Sequence, residues 1–247
     1  MSAKRTILAI DAGNSRVKWG LHDGDRFIDE GWRALSAIDT LEADWGRLKK
    51  PGAVFIANVA GEGVVARLTA YFARWQIAPR WVAGESARCG VANRYDHPAQ
   101  LGPDRWAALI AAHSLKIGAC VVVCSGTATT IDALTATGEF LGGLILPGID
   151  LMHDMLTANT SRLGAERGSF AAFPRATRDA ITSGAIQATC GAVQRMCEAM
   201  ISSGHADPTI VASGGAADTL ARHLERPVQV RDKLILEGLI TMAVAQG

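Results

Sequence analysis

The sequence predicts an α/β protein made of two similar halves. Short apolar runs typical of buried strands alternate along its 247 residues with longer segments typical of helices. Two of these runs, one near the start of the chain and one near its middle, end in a glycine turn and continue into a second extended segment. This recurrence predicts an internal duplication, with an N-terminal domain at residues 1–116 and a C-terminal domain at residues 117–247.

The first half begins with an apolar run, Ile7–Ile10, that favours a strand and ends in the turn Asp11–Ser15. Apolar residues then alternate with polar ones at Val17, Trp19 and Leu21, as in a strand that returns beside the first. The following segments are predicted as a helix at 41–50, a strand at 53–58, a helix at 64–75, a strand at 80–82 and a loop at 92–102. A proline and an acid then mark the start of a helix at residues 103–112.

The second half repeats the opening pattern of the first, because a buried strand at 119–123 ends in the turn Ser125–Thr127. The remaining segments are predicted as strands at 131–134, 144–146 and 209–212, and as helices at 149–157, 178–202, 217–224 and 234–245. The last of these helices is apolar on more than one side, which predicts that it is buried. No linker rich in serine or proline separates the halves, so we expect them to pack tightly.

The composition favours a small-molecule ligand over a polymer or a membrane. Charged residues make up 20% of the sequence and the formal net charge is +1, so no basic excess is present to bind nucleic acid or an anionic membrane. No stretch approaches the ~18 apolar residues of a membrane span, and the apolar run before Asp11 is too short for a secretion signal. The five cysteines are odd in number and scattered, which argues against disulfides and for a cytoplasmic location.

Three glycine turns that follow strands are the main functional signal. Small residues let the backbone approach phosphate oxygens, and N–H groups and hydroxyls supply hydrogen-bond donors. One such turn is ordinary turn chemistry, whereas three in one chain predict a cleft for nucleotide phosphates. They are Asp11–Ser15, Ser125–Thr130 and Ser213–Ala216. Neither G-x-x-x-x-G-K-[ST] nor G-x-G-x-x-G occurs, which argues against P-loop and dinucleotide-binding folds.

Two acidic residues have positions that suit phosphoryl transfer. Asp11 ends the first strand, where one carboxylate with water and phosphate oxygens can hold Mg²⁺; the alternative is that it caps the turn at Gly13. Asp104, beside Arg105 at a helix start, suits a general base for an attacking hydroxyl, with the arginine near an anion. The alternative for Asp104 is a structural role at the helix N-terminus. Sequence signatures of metalloproteases and serine hydrolases are absent.

The order and spacing of these motifs resemble the type III pantothenate kinases over nearly the whole chain. The matching segments are Asp11-Ala12-Gly13-Asn14-Ser15, Tyr95 followed by Leu101–Trp106, Gly126–Thr130, Gly142-Gly143 with Pro147-Gly148, and Ser213-Gly214-Gly215. The combination of D-x-G-N-S, G-x-D-R and G-T-A-T-T is much more specific than any one of the three. The resemblance implies two ribonuclease-H-like domains of the actin, hexokinase and Hsp70 ATPase superfold, with mixed sheets flanked by helices.

The resemblance also implies a reaction and the residues that perform it. The reaction is the ATP-dependent phosphorylation of pantothenate in coenzyme A synthesis, with Mg²⁺, by a cytoplasmic homodimer. The residues implied to bind ATP are Asp11, Ala12, Gly13, Asn14, Ser15, Arg16, Val17, Lys18 and Thr127, with Asp11 also near the metal. Those implied to bind pantothenate are Tyr95, Gly102, Pro103, Asp104, Arg105 and Thr177, with Asp104 as the general base and Thr177 reaching the substrate from the other subunit.

One position departs from the family pattern. Family members usually carry an aspartate that binds a monovalent cation, K⁺ or NH₄⁺, three residues before the equivalent of Thr127, and this chain has Cys124 there. Because a thiol is a poor ligand for potassium, the cation site is either lost, rebuilt from Ser125 and Asp132, or replaced by another means of neutralising phosphate charge. Two rival functions remain: a nucleotide-binding regulatory protein without kinase activity, and a kinase for another small alcohol.

Overall fold

The structure is a computed structural model that describes residues 6–159 and 166–246. The described chain forms two compact units. Unit 1 comprises the residues up to Leu115 together with those from Lys233 onward, and unit 2 comprises Lys116–Asp232. The final segment therefore belongs with the first unit, which corrects the C-terminal domain that the sequence predicts at residues 117–247.

The described chain contains both strands and helices, and several strands follow one another directly. The strands are β1 (Ile7–Ala12), β2 (Arg16–His22), β3 (Phe27–Ala34), β4 (Ala53–Asn58), β5 (Arg80–Trp81), β6 (Ala87–Arg88), β7 (Val91–Asn93), β8 (Cys120–Ser125), β9 (Ala128–Leu134), β10 (Glu139–Pro147), β11 (Thr209–Ser213) and β12 (Val228–Val230). The α-helices are α1 (Leu41–Trp45), α2 (Glu62–Arg74), α3 (Pro103–Ser114), α4 (Ile149–Ala158), α5 (Thr177–Ser202), α6 (Ala217–His223) and α7 (Leu234–Val244). Short 3-10 helices lie at Leu35–Thr40 and Pro98–Gln100. Among the helices of the described residues, none is long and apolar enough to cross a membrane.

Strand β1 lies at the centre of the sheet of unit 1, in which the strand order is β3-β2-β1-β4-β5. It pairs antiparallel with β2 and parallel with β4, and every residue along it is buried. Ile10 packs in one apolar core with Leu68 and Phe72 of α2. The antiparallel register places Asp11, near the carboxyl end of β1, opposite Lys18 on β2.

Unit 2 repeats this arrangement, with β8 in the place of β1. The strand order is β10-β9-β8-β11-β12. β8 pairs antiparallel with β9 and parallel with β11, just as β1 pairs with β2 and β4. Helices α5 and α6 contribute Ile186, Val193 and Leu220 to the core of this unit. The two units therefore share one strand order and one set of strand directions, as an internal duplication would produce.

The last helix, α7, fastens the final segment to unit 1. It packs against α3, β1 and β4, and Leu234, Leu239 and Met242 are fully buried, as its apolar character predicts. Helices α7 and α3 meet closely at Gly238, where a Cβ atom would lie only 1.9 Å from the carbonyl oxygen of Ala107. Only glycine permits this approach without moving one of the helices.

Some strands are absent from the sequence-based prediction for identifiable reasons. β3 carries mostly exposed side chains and lacks the pattern of a half-buried strand; it forms because it pairs with the edge of β2. The hairpin of β6 and β7 turns at Cys89 and Gly90, which both have positive φ angles. Strands of two and three residues are too short to show a periodicity. β9 begins at Ala128 rather than at Ile131, because its first residues look like turn chemistry in the sequence.

We expect Gly238→Ala to destabilise the protein by about 1–3 kcal/mol, since the added methyl group would overlap the backbone of Ala107 and force the helices apart. The measurement is the free energy of unfolding in urea. Gly184→Ala in α5 is the matched control, because nothing lies within 4 Å of its Cβ position, and it should stabilise by up to about 1 kcal/mol. Equal effects of the two substitutions would show that α7 does not depend on this contact.

Candidate active site

The turn after β1 presents exposed backbone and hydroxyl groups. It is closed by a hydrogen bond from the N–H of Gly13 to the carbonyl oxygen of Arg16, at 3.0 Å. Asn14 and Ser15 are exposed, while Val17 on the next strand is buried again. The turn therefore offers polar groups at the carboxyl end of the central strand, where anionic ligands commonly bind in such sheets.

Asp11 is a buried acid with a raised pKa. Its side chain is only 9% exposed. Burial, and after it the negative charge of Asp104, raise the pKa of Asp11 to about 7, while the positive charge of Lys18 acts in the opposite direction. The fold thus brings the two predicted acids close enough to affect each other, although they are far apart in the sequence.

Asp104 is the second residue of α3 and lies directly after the predicted Gly102 and Pro103. One of its carboxylate oxygens, Oδ1, accepts a hydrogen bond from the backbone N–H of Arg105 at 2.8 Å. A Cβ atom at Gly102 would lie 2.6 Å from the same oxygen. Gly102 therefore has to lack a side chain for the carboxylate to keep this position, which explains why the sequence motif begins with glycine.

Arg105 and Tyr95 form a second part of the site. Arg105 is only 5% exposed, and its Nη1 donates a hydrogen bond to the hydroxyl oxygen of Tyr95 at 3.0 Å. The guanidinium carbon lies 5.6 Å from the centre of the tyrosine ring. A buried arginine beside a phenol suits the carboxylate of a small ligand, because guanidinium and hydroxyl groups both donate to carboxylate oxygens. Tyr95, Gly102, Pro103, Asp104 and Arg105 thus lie together, as the sequence predicts.

In unit 2 the glycine segments converge on the end of β8. A Cβ atom at Gly148 would lie 2.0 Å from the carbonyl oxygen of Gly126. A Cβ atom at Gly214 would lie 2.3 Å from the carbonyl oxygen of Ser125, and Gly214 has a φ of +97°. Thr127 at the centre of this cluster is exposed. Three segments that are separate in the sequence therefore form one surface of backbone groups and small side chains.

The register of β8 and β9 separates the residues considered for a monovalent cation. The hydroxyls of Ser125 and Thr129 are 2.8 Å apart, so both point to one face of the sheet. Asp132 lies an odd number of residues beyond Thr129 on the same strand and faces the opposite side, together with Cys124. Ser125 and Asp132 cannot form one site with their side chains. Within the described residues, no group of three or more histidine, cysteine or acidic side chains is placed to hold a metal ion.

Thr177 is the first residue of α5 and is exposed. Two residues near the site were missed by sequence reasoning. Asn93 is buried and hydrogen-bonds both ends of the loop that carries Tyr95, and Gly84 lies against the later part of that loop. An asparagine two residues before the tyrosine was the available signal, since asparagine side chains often hydrogen-bond backbone N–H groups two residues on.

A family model and curated relatives indicate the same protein family. The model for the family described as type III pantothenate kinase matches residues 7–199. A protein of Nitrosospira multiformis named type III pantothenate kinase is 47% identical over 238 residues, which cover 96% of this chain and 90% of that protein.

Solved structures show the same fold at low identity. A conserved Baf-family protein from Campylobacter jejuni, provisionally described as a transcriptional activator, has a TM-score of 0.63 and 22% identity over 97% of this chain and 98% of its own. MreB5 of Spiroplasma citri bound to ADP has a TM-score of 0.55 and 12% identity over 99% of this chain and 100% of its own. The fold is that of the actin, hexokinase and Hsp70 ATPases, as the sequence motifs imply.

The raised pKa of Asp11 predicts how stability changes with pH. An acid whose folded pKa lies near 7 rather than 3.8 lowers the free energy of unfolding progressively as pH rises from about 4 to above 7. We therefore expect Asp11→Asn to raise the Tm of the metal-free protein at pH 8. The corresponding gain in the free energy of unfolding is on the order of a few kcal/mol, and it should become smaller towards pH 5.

Thermal unfolding at several pH values, with metal chelated, measures this gain. Asp218→Asn is the control, because it removes an acid from the first turn of α6 in unit 2. A gain at Asp11 that does not depend on pH would contradict the assigned ionisation.

Proposed function

The chain belongs to the type III pantothenate kinase family, and we propose that it transfers the γ-phosphoryl group of ATP to the primary hydroxyl of pantothenate, the first step of coenzyme A synthesis. One observation of the structure supports this most directly. A buried acid at the end of β1, a second acid at the start of α3 and a buried arginine paired with a tyrosine all lie in unit 1. Phosphoryl transfer to an alcohol that carries a carboxylate can use an acid at the metal, an acid as general base and an arginine at the substrate's anion.

Asp104 is the proposed general base. As the pantothenate oxygen bonds to the γ-phosphorus, its proton passes to the carboxylate of Asp104. The bond between the γ-phosphorus and the bridging oxygen breaks, and ADP leaves. Arg105 and Tyr95 are proposed to bind the carboxylate of pantothenate, with Gly102 and Pro103 lining the same pocket. This anchors the substrate at one end, so that its hydroxyl is held beside the base.

Asp11 and the turn after β1, residues 11–18, are the proposed phosphate and metal site of unit 1. Thr127 is the proposed nucleotide-binding residue of unit 2. The residues fit Mg²⁺, because the buried carboxylate of Asp11 supplies the hard oxygen ligand that this ion prefers. The exposed backbone N–H and hydroxyl groups of the turn can donate hydrogen bonds to phosphate oxygens. When bound, the ion would neutralise phosphate charge. Asp11 would hold it, and Lys18, which faces Asp11 across the two strands, would offset part of the carboxylate charge.

We propose that turnover has no specific requirement for K⁺ or NH₄⁺. At the position of the family aspartate this chain has Cys124, whose thiol is a poor potassium ligand, and Ser125 points to the other face of the sheet. Exchange of sodium for potassium should change the rate of wild-type turnover by less than about twofold, whereas Cys124→Asp should introduce a preference for potassium. A strong potassium requirement of the wild type would overturn this proposal.

A homodimer is the proposed assembly, with Thr177 reaching the substrate of the other subunit. Large apolar side chains are exposed in unit 2, among them Ile145 of β10 at 66%, Met155 of α4 at 56% and Phe173 at 90%. Helix α4 packs against α5, which begins at Thr177. Contiguous exposed apolar surface is typical of a protein interface, and these side chains are proposed to form such a surface. The proposed location is the cytoplasm, because the five cysteines of the sequence are odd in number and scattered.

Asp104→Asn tests the proposed base. Because an amide cannot accept the proton, we expect kcat for pantothenate-dependent ADP release to fall about 10²- to 10⁴-fold, while the Kd for ATP changes less than about twofold. Asp218→Asn is a matched control, since both acids are the second residue of a helix; it should keep full activity.

Measurements of ADP release by the wild-type protein test the proposed function itself. ADP release that depends on pantothenate establishes the kinase, and ADP release with another small alcohol alone would indicate a different substrate. ATP binding without turnover would favour the regulatory function instead. Unchanged kcat in Asp104→Asn would remove the residue from the role of base.

Phe173→Glu tests the assembly. A charge at this 90% exposed position should weaken an interface that buries it, and we expect sedimentation to show the mass of one chain instead of two. Val244→Glu is the control, because Val244 is 61% exposed at the end of α7 in unit 1, and it should remain dimeric. A wild type that sediments as a monomer at micromolar concentration would contradict the dimer.

A further inference from the structure

We propose that Asn93 is a positioning residue for pantothenate, which acts by fixing the loop that carries Tyr95; the inference rests on the proposed function. Asn93 is the last residue of β7 and is 7% exposed. Its side-chain Oδ1 accepts a hydrogen bond from the backbone N–H of Tyr95 at 3.0 Å. Its Nδ2 donates to the carbonyl oxygen of Pro98 at 3.2 Å. One amide therefore ties the beginning of the loop at residues 94–98 to its end.

The position of Asn93 itself is fixed by the hairpin. Its backbone N–H donates to the carbonyl oxygen of Ser86 at 2.8 Å, next to the paired residues of β6 and β7. The loop is thus attached to a strand end that cannot shift without breaking this bond. A buried side chain that donates and accepts at once has few substitutes: serine keeps a short acceptor, and alanine keeps neither group.

The effect of Asn93 reaches the substrate site through Tyr95. The hydrogen bond to Asn93 fixes the position of the backbone N–H of Tyr95. The hydroxyl of the same tyrosine accepts a hydrogen bond from Arg105 at 3.0 Å. Arg105 follows Asp104 directly in α3. Movement of the loop would therefore move the phenol away from the arginine, on the side of the pocket assigned to the pantothenate carboxylate, while the residues assigned to ATP stay in place.

A second contact holds the other end of the loop. A Cβ atom at Gly84 would lie 2.4 Å from the carbonyl oxygen of Pro98 and 2.7 Å from that of Leu101. Leu101 is 1% exposed and directly precedes Gly102. The loop is therefore seated on unit 1 by close packing at its far end and by Asn93 at its near end. Asn93 is the part of this arrangement that can be changed without a steric clash.

The test is steady-state kinetics of Asn93→Ala and Asn93→Ser with both substrates. Loss of the two hydrogen bonds should raise the KM for pantothenate roughly tenfold to a hundredfold in Asn93→Ala, with a smaller fall in kcat and a KM for ATP within about twofold of the wild type. Asn93→Ser should lie between, because its hydroxyl can still accept from the N–H of Tyr95. Calorimetric titration with pantothenate measures the Kd of the wild type and the two variants without turnover, and these values should fall in the same order as the KM values.

Asp44→Asn controls for lost stability alone. Asp44 is also a buried polar residue of unit 1, 8% exposed, and pairs with Arg33 and Arg47, away from the loop. It should lower the Tm and leave the KM for pantothenate unchanged. Equal rises in both KM values in the Asn93 variants, or no rise in either, would overturn the positioning role while the wild type remains a kinase. Absence of pantothenate-dependent turnover in the wild type would instead overturn the proposed function, and this inference with it.

Discussion

The proposed site depends on keeping the buried carboxylate of Asp11 close to the partly exposed carboxylate of Asp104. Burial and the charge of Asp104 raise the pKa of Asp11 to about 7, and Lys18 compensates only in part. Such a pair destabilises the metal-free protein, so the surrounding structure has to hold it in place. β1 is buried along its whole length, as are residues 105–112 of α3. A cation that binds together with the nucleotide phosphates would relieve the repulsion between the two carboxylates. Relief of this repulsion would favour binding of the metal–nucleotide complex.

Helix α7 keeps the strand and the helix that carry these acids together. It packs against both β1 and α3, and Gly238 lets it approach the backbone of α3 closely. The chain has to return from unit 2 to supply this helix, which is why the last residues do not belong with the residues that precede them. A sequence pattern cannot indicate this return. A helix that is apolar on several sides fits any buried position, and only the complementary surfaces of α3 and β1 select one.

What the sequence predicts well is what local chemistry determines. The ends of β1, β8 and β11 are marked by glycines and hydroxyl residues, and Asp104 and Arg105 are marked by the proline that starts their helix. The role of Asn93 depends on a loop closing over five residues, and no periodicity reports such a contact. The choice between Ser125 and Asp132 depends on the pairing register of two strands. A shift of one residue would reverse which side chains share a face, so this question could be answered only from the structure.

The duplication makes Cys124 the counterpart of Asp11. Each is the fifth residue of the first strand of its unit, but the residue across the ladder is Lys18 for Asp11 and Thr130 for Cys124. The acid in unit 1 therefore has a cation opposite it, whereas Cys124 has a neutral hydroxyl opposite it. The two equivalent strand ends therefore differ in their chemistry. Only the strand of unit 1 carries an acid at this position, where the proposed phosphate and metal site uses it.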